Sequence, residues 1–266
     1  MHMKRKRISI SGHWISYFDN CRSGEVLVCL HGHFGCASMF TFLEERFPGR
    51  LILIDQRGHG ESDRTTTYAI ADYVADLSAV LAAEQVSHPF ILGHSLGGIV
   101  AMHYAAAHDN CRALIIEDIG TEVDCSNEFI RQIPQEASDL FEIQQAFRRQ
   151  EMELDAYFME SLRYDGTKWH FRFGHEDMIE SQQQMNGNHW HAWNRIICPT
   201  LILHGSNSWA CTTANLQRMV AARPDDAQLV IYNGAGHTLR DFDRERYVKD
   251  VTQFIVSHAE AATELI

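Results

Sequence analysis

Phe90-Ile91-Leu92-Gly93-His94-Ser95-Leu96-Gly97-Gly98, running on into residues 99–107, is the stretch on which the fold turns. Three apolar residues suited to a buried strand lead into a glycine-flanked serine, and a helical pattern starts at once. A serine on so tight a strand-to-helix turn sits in a strained backbone conformation, and Gly93 and Gly97 remove the side chains that would collide there. Its hydroxyl is lifted above the sheet, and the unsatisfied amides of the helix N-terminus face an oxygen that turns negative beside it. Ser95 is therefore the candidate nucleophile and the Leu96 N–H a candidate oxyanion donor. A G-x-S-x-G string alone carries little weight; the strand before it and the helix after it carry the inference.

Outward from this turn, short apolar or β-rich runs alternate with helical patterns, the signature of a mainly parallel sheet covered by helices in an α/β protein. Buried strands are read at 26–30, 51–54, 90–92, 113–116, 200–203 and 228–231. Residues 8–10 and 14–17, separated by Ser11-Gly12, read as an antiparallel hairpin at the sheet edge. Ile70, Val74, Leu77 and Leu81 recur at helical spacing and predict a crossover helix. Tyr247, Val251, Phe254 and Ile255 mark a closing helix, and the tail at 259–266 carries no evident role. Between 120 and 197 the strand alternation stops and the pattern reads as helices with short turns. This predicts a helical cap inserted into a core made of 1–119 and 198–266. Eleven of the 78 residues in this segment are aromatic, against 16 of the other 188, so it is enriched in groups suited to walling a pocket.

A chain of 266 residues with 45% hydrophobic and 22% charged residues has ordinary globular composition. The net charge of −12 argues against nucleic acid, whose backbone calls for clustered Lys and Arg. The one basic run, 4–7, is followed by a stretch too broken by polar residues to serve as a signal-peptide core, and the apolar runs are far too short to cross a bilayer. Seven scattered cysteines without a C-x-x-C pair fit neither a disulfide framework nor a cysteine zinc site, so a reducing cytoplasm is expected. The expected partner is a small-molecule substrate, with no nucleic acid, no membrane and no cofactor; a homodimer is left open.

At this point the chain resembles the α/β-hydrolase superfamily over nearly its whole length apart from the cap. His31-Gly32-His33-Phe34-Gly35, after the first long strand, looks like that family's H-G-x-x-G oxyanion loop, and Asp55-Gln56-Arg57-Gly58-His59-Gly60-Glu61-Ser62 looks like its D-x-R-G-x-G-x-S element. The resemblance implies a mostly parallel eight-stranded sheet flanked by helices and makes the His33 N–H the second oxyanion donor. The D-x-R-G element is assigned to structure before catalysis.

A serine hydroxyl needs a neighbouring imidazole to take its proton. Among sixteen histidines, His237 follows the last strand in Asn233-Gly234-Ala235-Gly236-His237, where glycines allow a loop back to the strand ends, and this resembles the family's G-x-G-H base. The acid departs from the commonest pattern. Many relatives carry it as G-x-x-D after the penultimate strand, but here Gly205-Ser206-Asn207-Ser208 ends in a serine, which cannot stabilise imidazolium as a carboxylate does. Ile115-Ile116-Glu117-Asp118-Ile119-Gly120 offers two candidates after the strand that follows the nucleophile. Asp118 is similar to the aspartate of the V-D-I-x-P motif in small hydrolases that include acyl-CoA esterases. Glu117 is the alternative acid, matching haloalkane dehalogenases and related luciferases. Adjacent residues leaving a strand point to opposite sides, so only one should reach His237. Asp241 and Asp243 read as the start of the final helix.

The pairs His31/His33 and His189/His191 have the H-x-H spacing of a metal site, but no carboxylate or cysteine recurs at matching spacing, and no metal is expected. Residues 186–193 read as cap wall. The resemblance therefore implies a serine hydrolase acting on a small ester, thioester or amide through an acyl-enzyme. Cofactor-free dioxygenases and carbon–carbon bond hydrolases keep the same serine and histidine, and a receptor that retained the pocket is a third reading. Fourteen Asp or Glu against seven Lys or Arg in 120–197 argue for a smaller or neutral substrate over a polyanionic CoA ester.

Overall fold

The computed structural model describes residues 3–259. Eight strands make one sheet: β1 (Lys4–Ile10), β2 (His13–Asp19), β3 (Val26–Leu30), β4 (Arg50–Ile54), β5 (Phe90–His94), β6 (Ala113–Glu117), β7 (Thr200–Gly205) and β8 (Ala227–Tyr232). Their order is β1-β2-β4-β3-β5-β6-β7-β8. The pairs from β4 to β8 are parallel, and β1/β2 and β2/β4 are antiparallel. The six apolar runs and the edge hairpin of the sequence reading are all present: 26–30 unchanged, the other five runs longer by one or two residues, and the two hairpin strands longer by four and three. The tail beyond residue 259 lies outside the described residues.

The central strands read as unbroken apolar runs because both faces of the sheet are covered. Val28, Leu30, Ile52, Ile91, Leu114 and Ile116 pack into one buried cluster. Leu27, Cys29, Leu51, Leu53, Leu92 and Ile115 pack into another, which also takes in Tyr247, Val251, Phe254 and Ile255 from the closing helix Arg244–Ala259. The basic run opens the edge strand, where Lys6 pairs with the fully buried Asp19 at 2.7 Å and Arg5 with Asp55 at 2.6 Å.

Helix α1 (Ile70–Ala83) forms where the apolar spacing predicted it, but turned about its axis. Tyr73, Asp76, Leu77, Val80 and Leu81 are its buried residues, while Ile70 and Val74 are only partly buried. Two polar anchors set this rotation: Tyr73 OH is hydrogen-bonded to Ser181 Oγ at 2.8 Å, and the Asp76 carboxylate receives Arg57 Nε and Nη2 at 2.7 and 2.9 Å. An ion pair closed by two hydrogen bonds is costly to separate once buried, so it overrides the hydropathy pattern.

Segment 120–197 is not purely helical. Besides helices Leu140–Arg149, Ala156–Met159, His175–Met185 and Trp190–Trp193, it holds a three-stranded sheet (Glu136–Ala137, Trp169–Phe171 and Leu162–Tyr164) and a two-stranded ribbon of Glu122–Val123 with Gly187–Asn188. Strands of two or three residues are too short for a period-two pattern to register. A signal was nevertheless present, since Asp165-Gly166 separates Leu162–Tyr164 from Trp169–Phe171 and Asp-Gly is a hairpin turn signature. The Asp165 carboxylate accepts the Thr167 and Lys168 N–H groups at 2.7 and 2.8 Å, and Gly166 takes φ +102°. Residues 186–193 do not line the cavity described below: Trp193 is fully buried in the main core, with its indole N–H on the Met219 carbonyl at 2.9 Å, and His189 bonds His103 at 3.0 Å.

Candidate active site

Strand register brings the pieces together. His94, the last residue of β5, lies opposite Glu117, the last of β6, and Glu117 in turn lies opposite Leu203 of β7. Ser95 and Asp118 therefore leave the sheet side by side, with Ser95 N–H on the Glu117 carbonyl at 3.0 Å and Asp118 N–H on the Leu203 carbonyl at 2.8 Å.

Ser95 takes φ 53°, ψ −116° between β5 and helix α2 (Leu96–Ala107), a region that side-chain-bearing residues avoid. The turn is closed by backbone contact. A Cβ on Gly93 would run into the Gly97 carbonyl, and one on Gly97 into the carbonyl of Leu30. Neither the Leu96 nor the His33 N–H finds an acceptor among the described residues, and both residues line a small recess together with Ser95. The loop that carries His33 is held from the 120–197 segment: Tyr157 OH donates to the His33 carbonyl at 2.8 Å, and the Ser161 hydroxyl donates to that of Phe34.

Of the two adjacent carboxylates, Asp118 meets His237. His237 Nδ1 donates to Asp118 Oδ2 at 2.7 Å. Glu117 points the other way, accepting Tyr247 OH at 2.8 Å and the Leu239 N–H at 3.3 Å. Burial pushes the Glu117 carboxyl up to about 7, against the lowering effect of Tyr247. For Asp118, burial also opposes ionisation, but hydrogen bonds from His204 and His237 outweigh it and hold the carboxyl well below the usual range. Asp243 accepts the Arg246 N–H at 3.0 Å at the start of the closing helix, as read from the sequence.

His204 is the residue that the sequence reading passed over. Its Nδ1 donates to Asp118 Oδ1 at 2.8 Å, beside the Gly205 N–H at 3.0 Å on the same oxygen. The acceptor-only carboxylate places the proton on Nδ1, which leaves Nε2 to accept from Thr213 Oγ1 at 2.9 Å. Nothing local in Leu203-His204-Gly205 advertises this. The only hint was a histidine at the end of an otherwise apolar strand, where burial demands a polar partner.

His237 stands at the mouth of a cavity of about 580 Å³ that Ser95 also lines. Its ring lies 4.8 Å from that of Trp209 and 4.6 Å from that of His94. Phe34, Phe129, Tyr157 and Phe158 form much of the wall. Ser95 Oγ makes no hydrogen bond among the described residues, so Asp118 and His237 are in contact while Ser95 and His237 share the cavity without being joined. Such bonds tighten when substrate is bound.

The D-x-R-G-x-G-x-S element is structural, as expected: Asp55 accepts the Ala37 and Glu61 N–H groups at 2.7 and 3.1 Å, and Arg57 is the partner of Asp76. Donor atoms of Asp118, His204 and Cys211 lie within 4.8 Å of one another. A metal there would have to break the His204–Asp118 bond and ionise a thiol whose pKa burial pushes up. These residues fit a hydrogen-bond network better than a metal.

A strand–nucleophile–helix turn, two free amides and an acid–base pair at the ends of a parallel sheet define a protein of the α/β-hydrolase class. The model of the alpha/beta hydrolase family matches residues 27–250, and the chain belongs to that family of hydrolytic enzymes. It is 26% identical over 254 residues to the 2-(acetamidomethylene)succinate hydrolase of Mesorhizobium japonicum, covering 88% of each chain. Among solved structures, an E-2-(acetamidomethylene)succinate hydrolase superposes with TM-score 0.84 at 23% identity, over 96% of this chain and 99% of that one. A marine microorganism esterase superposes with TM-score 0.76 at 21% identity, over 94% and 100%. At these identities, the solved structures establish the fold alone. Among the described residues, no helix is long and apolar enough to cross a membrane, and all seven cysteines are free thiols.

Proposed function

We propose that this protein is a serine hydrolase that cleaves a small carboxylic ester, thioester or amide through an acyl-enzyme on Ser95. The observation that carries this reading is the 2.7 Å Asp118–His237 pair at the mouth of the cavity that Ser95 lines. With Nδ1 engaged by the acid, His237 presents Nε2 as the base. It takes the Ser95 proton as Oγ attacks the substrate carbonyl, and Asp118 holds the tautomer and stabilises the imidazolium. The His33 and Leu96 N–H groups receive the oxyanion. His237 then protonates the leaving group, and the same histidine later activates the water that frees the acid product. The 120–197 segment acts as the cap that selects the acyl group. We place the enzyme in the cytoplasm, where seven free thiols are stable.

The test is a panel of nitrophenyl esters of increasing acyl length, run beside labelling with a fluorophosphonate. We expect stoichiometric labelling and steady product release. Labelling with a single turnover and no steady state would favour a receptor, and oxygen consumption would favour a dioxygenase.

His204 acts in this scheme as a positioning residue. Its N–H holds the Asp118 carboxylate in the orientation that meets His237. His204→Phe, which keeps ring volume without the donor, is expected to lower kcat roughly 10- to 100-fold with little change in KM, and His204→Gln, which can offer an N–H again, to recover part of the loss. An unchanged kcat in His204→Phe, or no recovery in His204→Gln at equal thermal stability, would remove His204 from this role.

A further inference from the structure

We infer that the cavity admits an uncharged, mainly apolar acyl group and rejects one that carries a carboxylate. The inference rests on the hydrolase reading above and narrows it to a charge class.

The cavity is lined from the core by His33, Phe34, Ser95 and His237 and from the 120–197 segment by aromatic and acidic side chains and by the neutral Asn127 and Gln182, whose amide groups donate to the Met178 carbonyl at 3.0 Å and to Asn186 Oδ1 at 2.8 Å. Its carboxylates are those of Glu153 and Asp155, and neither Lys nor Arg appears among the described lining residues. His33 supplies no cation either, since burial drives its pKa well below the ordinary value and holds the ring neutral on Ser181 Oγ at 2.8 Å. Asp155 is held in place as the N-cap of Ala156–Met159, accepting the Phe158 N–H at 3.2 Å.

Arg240, Arg131, Arg163 and Arg172 face hydrogen-bond or ion-pair partners that do not line the cavity. Arg240 lies behind the wall, 6.0 Å from the Tyr157 ring centroid, and donates to the Met39 carbonyl, with Glu160 at 3.4 Å. Arg131 pairs with Glu128 and Glu176, and Arg163 and Arg172 both face Glu61 at 3.7 Å. An acyl carboxylate entering the cavity would lose its water, meet phenyl faces whose π-clouds are negative, and sit near the carboxylates of Glu153 and Asp155 with no Lys or Arg on the lining in return. A methyl or methylene terminus loses no hydration and buries apolar area.

Three 4-nitrophenyl esters of matched length test this: the pentanoate, the half-ester of glutaric acid, and the 4-(trimethylammonio)butanoate. We expect kcat/KM for the pentanoate to exceed that of the glutarate by at least about 30-fold. The cationic ester should also lie above the glutarate. The gap should shrink severalfold in the Glu153→Gln/Asp155→Asn double variant, in which the asparagine retains the cap. Turnover of the glutarate at or above the pentanoate rate would overturn the inference while leaving the hydrolase reading intact. Silence on all three esters would overturn the hydrolase reading itself and this inference with it.

Discussion

Replacing Ser95 with alanine is expected to lower kcat/KM on a nitrophenyl ester by at least about four orders of magnitude, with the folded state retained. The loss is large because the acyl-enzyme needs a covalent bond to Oγ, and no other hydroxyl occupies the end of β5. What survives is the contribution of the two amides and of His237 acting on water, which is all that remains in related chemistry when a nucleophile is removed. Stability should change little. The strained φ of 53° belongs to the turn and not to the hydroxyl, which makes no hydrogen bond among the described residues, so alanine meets the same backbone demand. Initial rates, fluorophosphonate labelling and a thermal melt measured side by side check this. Undiminished turnover would refute the nucleophile assignment, and a collapsed melt would show that Ser95 is needed for the fold.

The second large effect separates two neighbours in the chain. Asp118→Asn is expected to reduce kcat by about 10⁴, whereas Glu117→Gln should cost less than about tenfold. Asp118 accepts three N–H groups, from His237, His204 and Gly205, on its two oxygens. Asparagine has one acceptor oxygen, so its NH₂ must face a ring nitrogen, and one of the two histidines is forced into the wrong tautomer. Glu117→Gln has no such consequence. Burial raises the Glu117 carboxyl to about 7, and a glutamine can accept the Leu239 N–H with its oxygen while its NH₂ donates to the Tyr247 oxygen, as a neutral acid can with its O–H.

Glu117 also makes a signed prediction for stability. Between its unfolded pKa near 4.3 and about 7, the folded state binds more protons at this site than the unfolded state. Its contribution to stability therefore falls as pH rises through that window and levels off above it. Glu117→Gln removes the dependence, so the melting temperature of the variant relative to the parent should climb from pH 4.5 to pH 7. A difference that stays flat across that range would contradict the raised value. Equal loss of turnover in the two carboxylate variants would undo the choice of Asp118.

Much of the fold was legible because its signals are local. A central strand covered on both faces must be apolar throughout, so 26–30, 90–92 and 113–116 could be read directly. The nucleophile turn was legible for a related reason: two glycines flank the serine because backbone atoms occupy the space where their side chains would be. Helix α1 was placed correctly but rotated wrongly, since hydropathy does not reveal that Asp76 is drawn inward by Arg57. The hairpin at 162–171 was missed because its strands are shorter than the window that detects alternation.

By itself the sequence determined an α/β sheet with Ser95 on the elbow, His237 on a glycine loop, and a carboxylate at 117 or 118, all properties of backbone geometry within a few residues of each motif. Only the tertiary structure decided which carboxylate turns toward the imidazole, that His204 occupies the other oxygen of Asp118, and that Tyr157 from the inserted segment pins the loop of His33. The charge of the cavity belongs to this second group, because tertiary packing decides which side chains line it: Arg131, Arg163 and Arg172 face Glu176 and Glu61 instead. The His204–Asp118 and Tyr157–His33 hydrogen bonds join positions separated by 86 and 124 residues. A hydrogen bond across that distance leaves no periodicity in either stretch, so the pairing exists only once β5, β6 and β7 lie side by side.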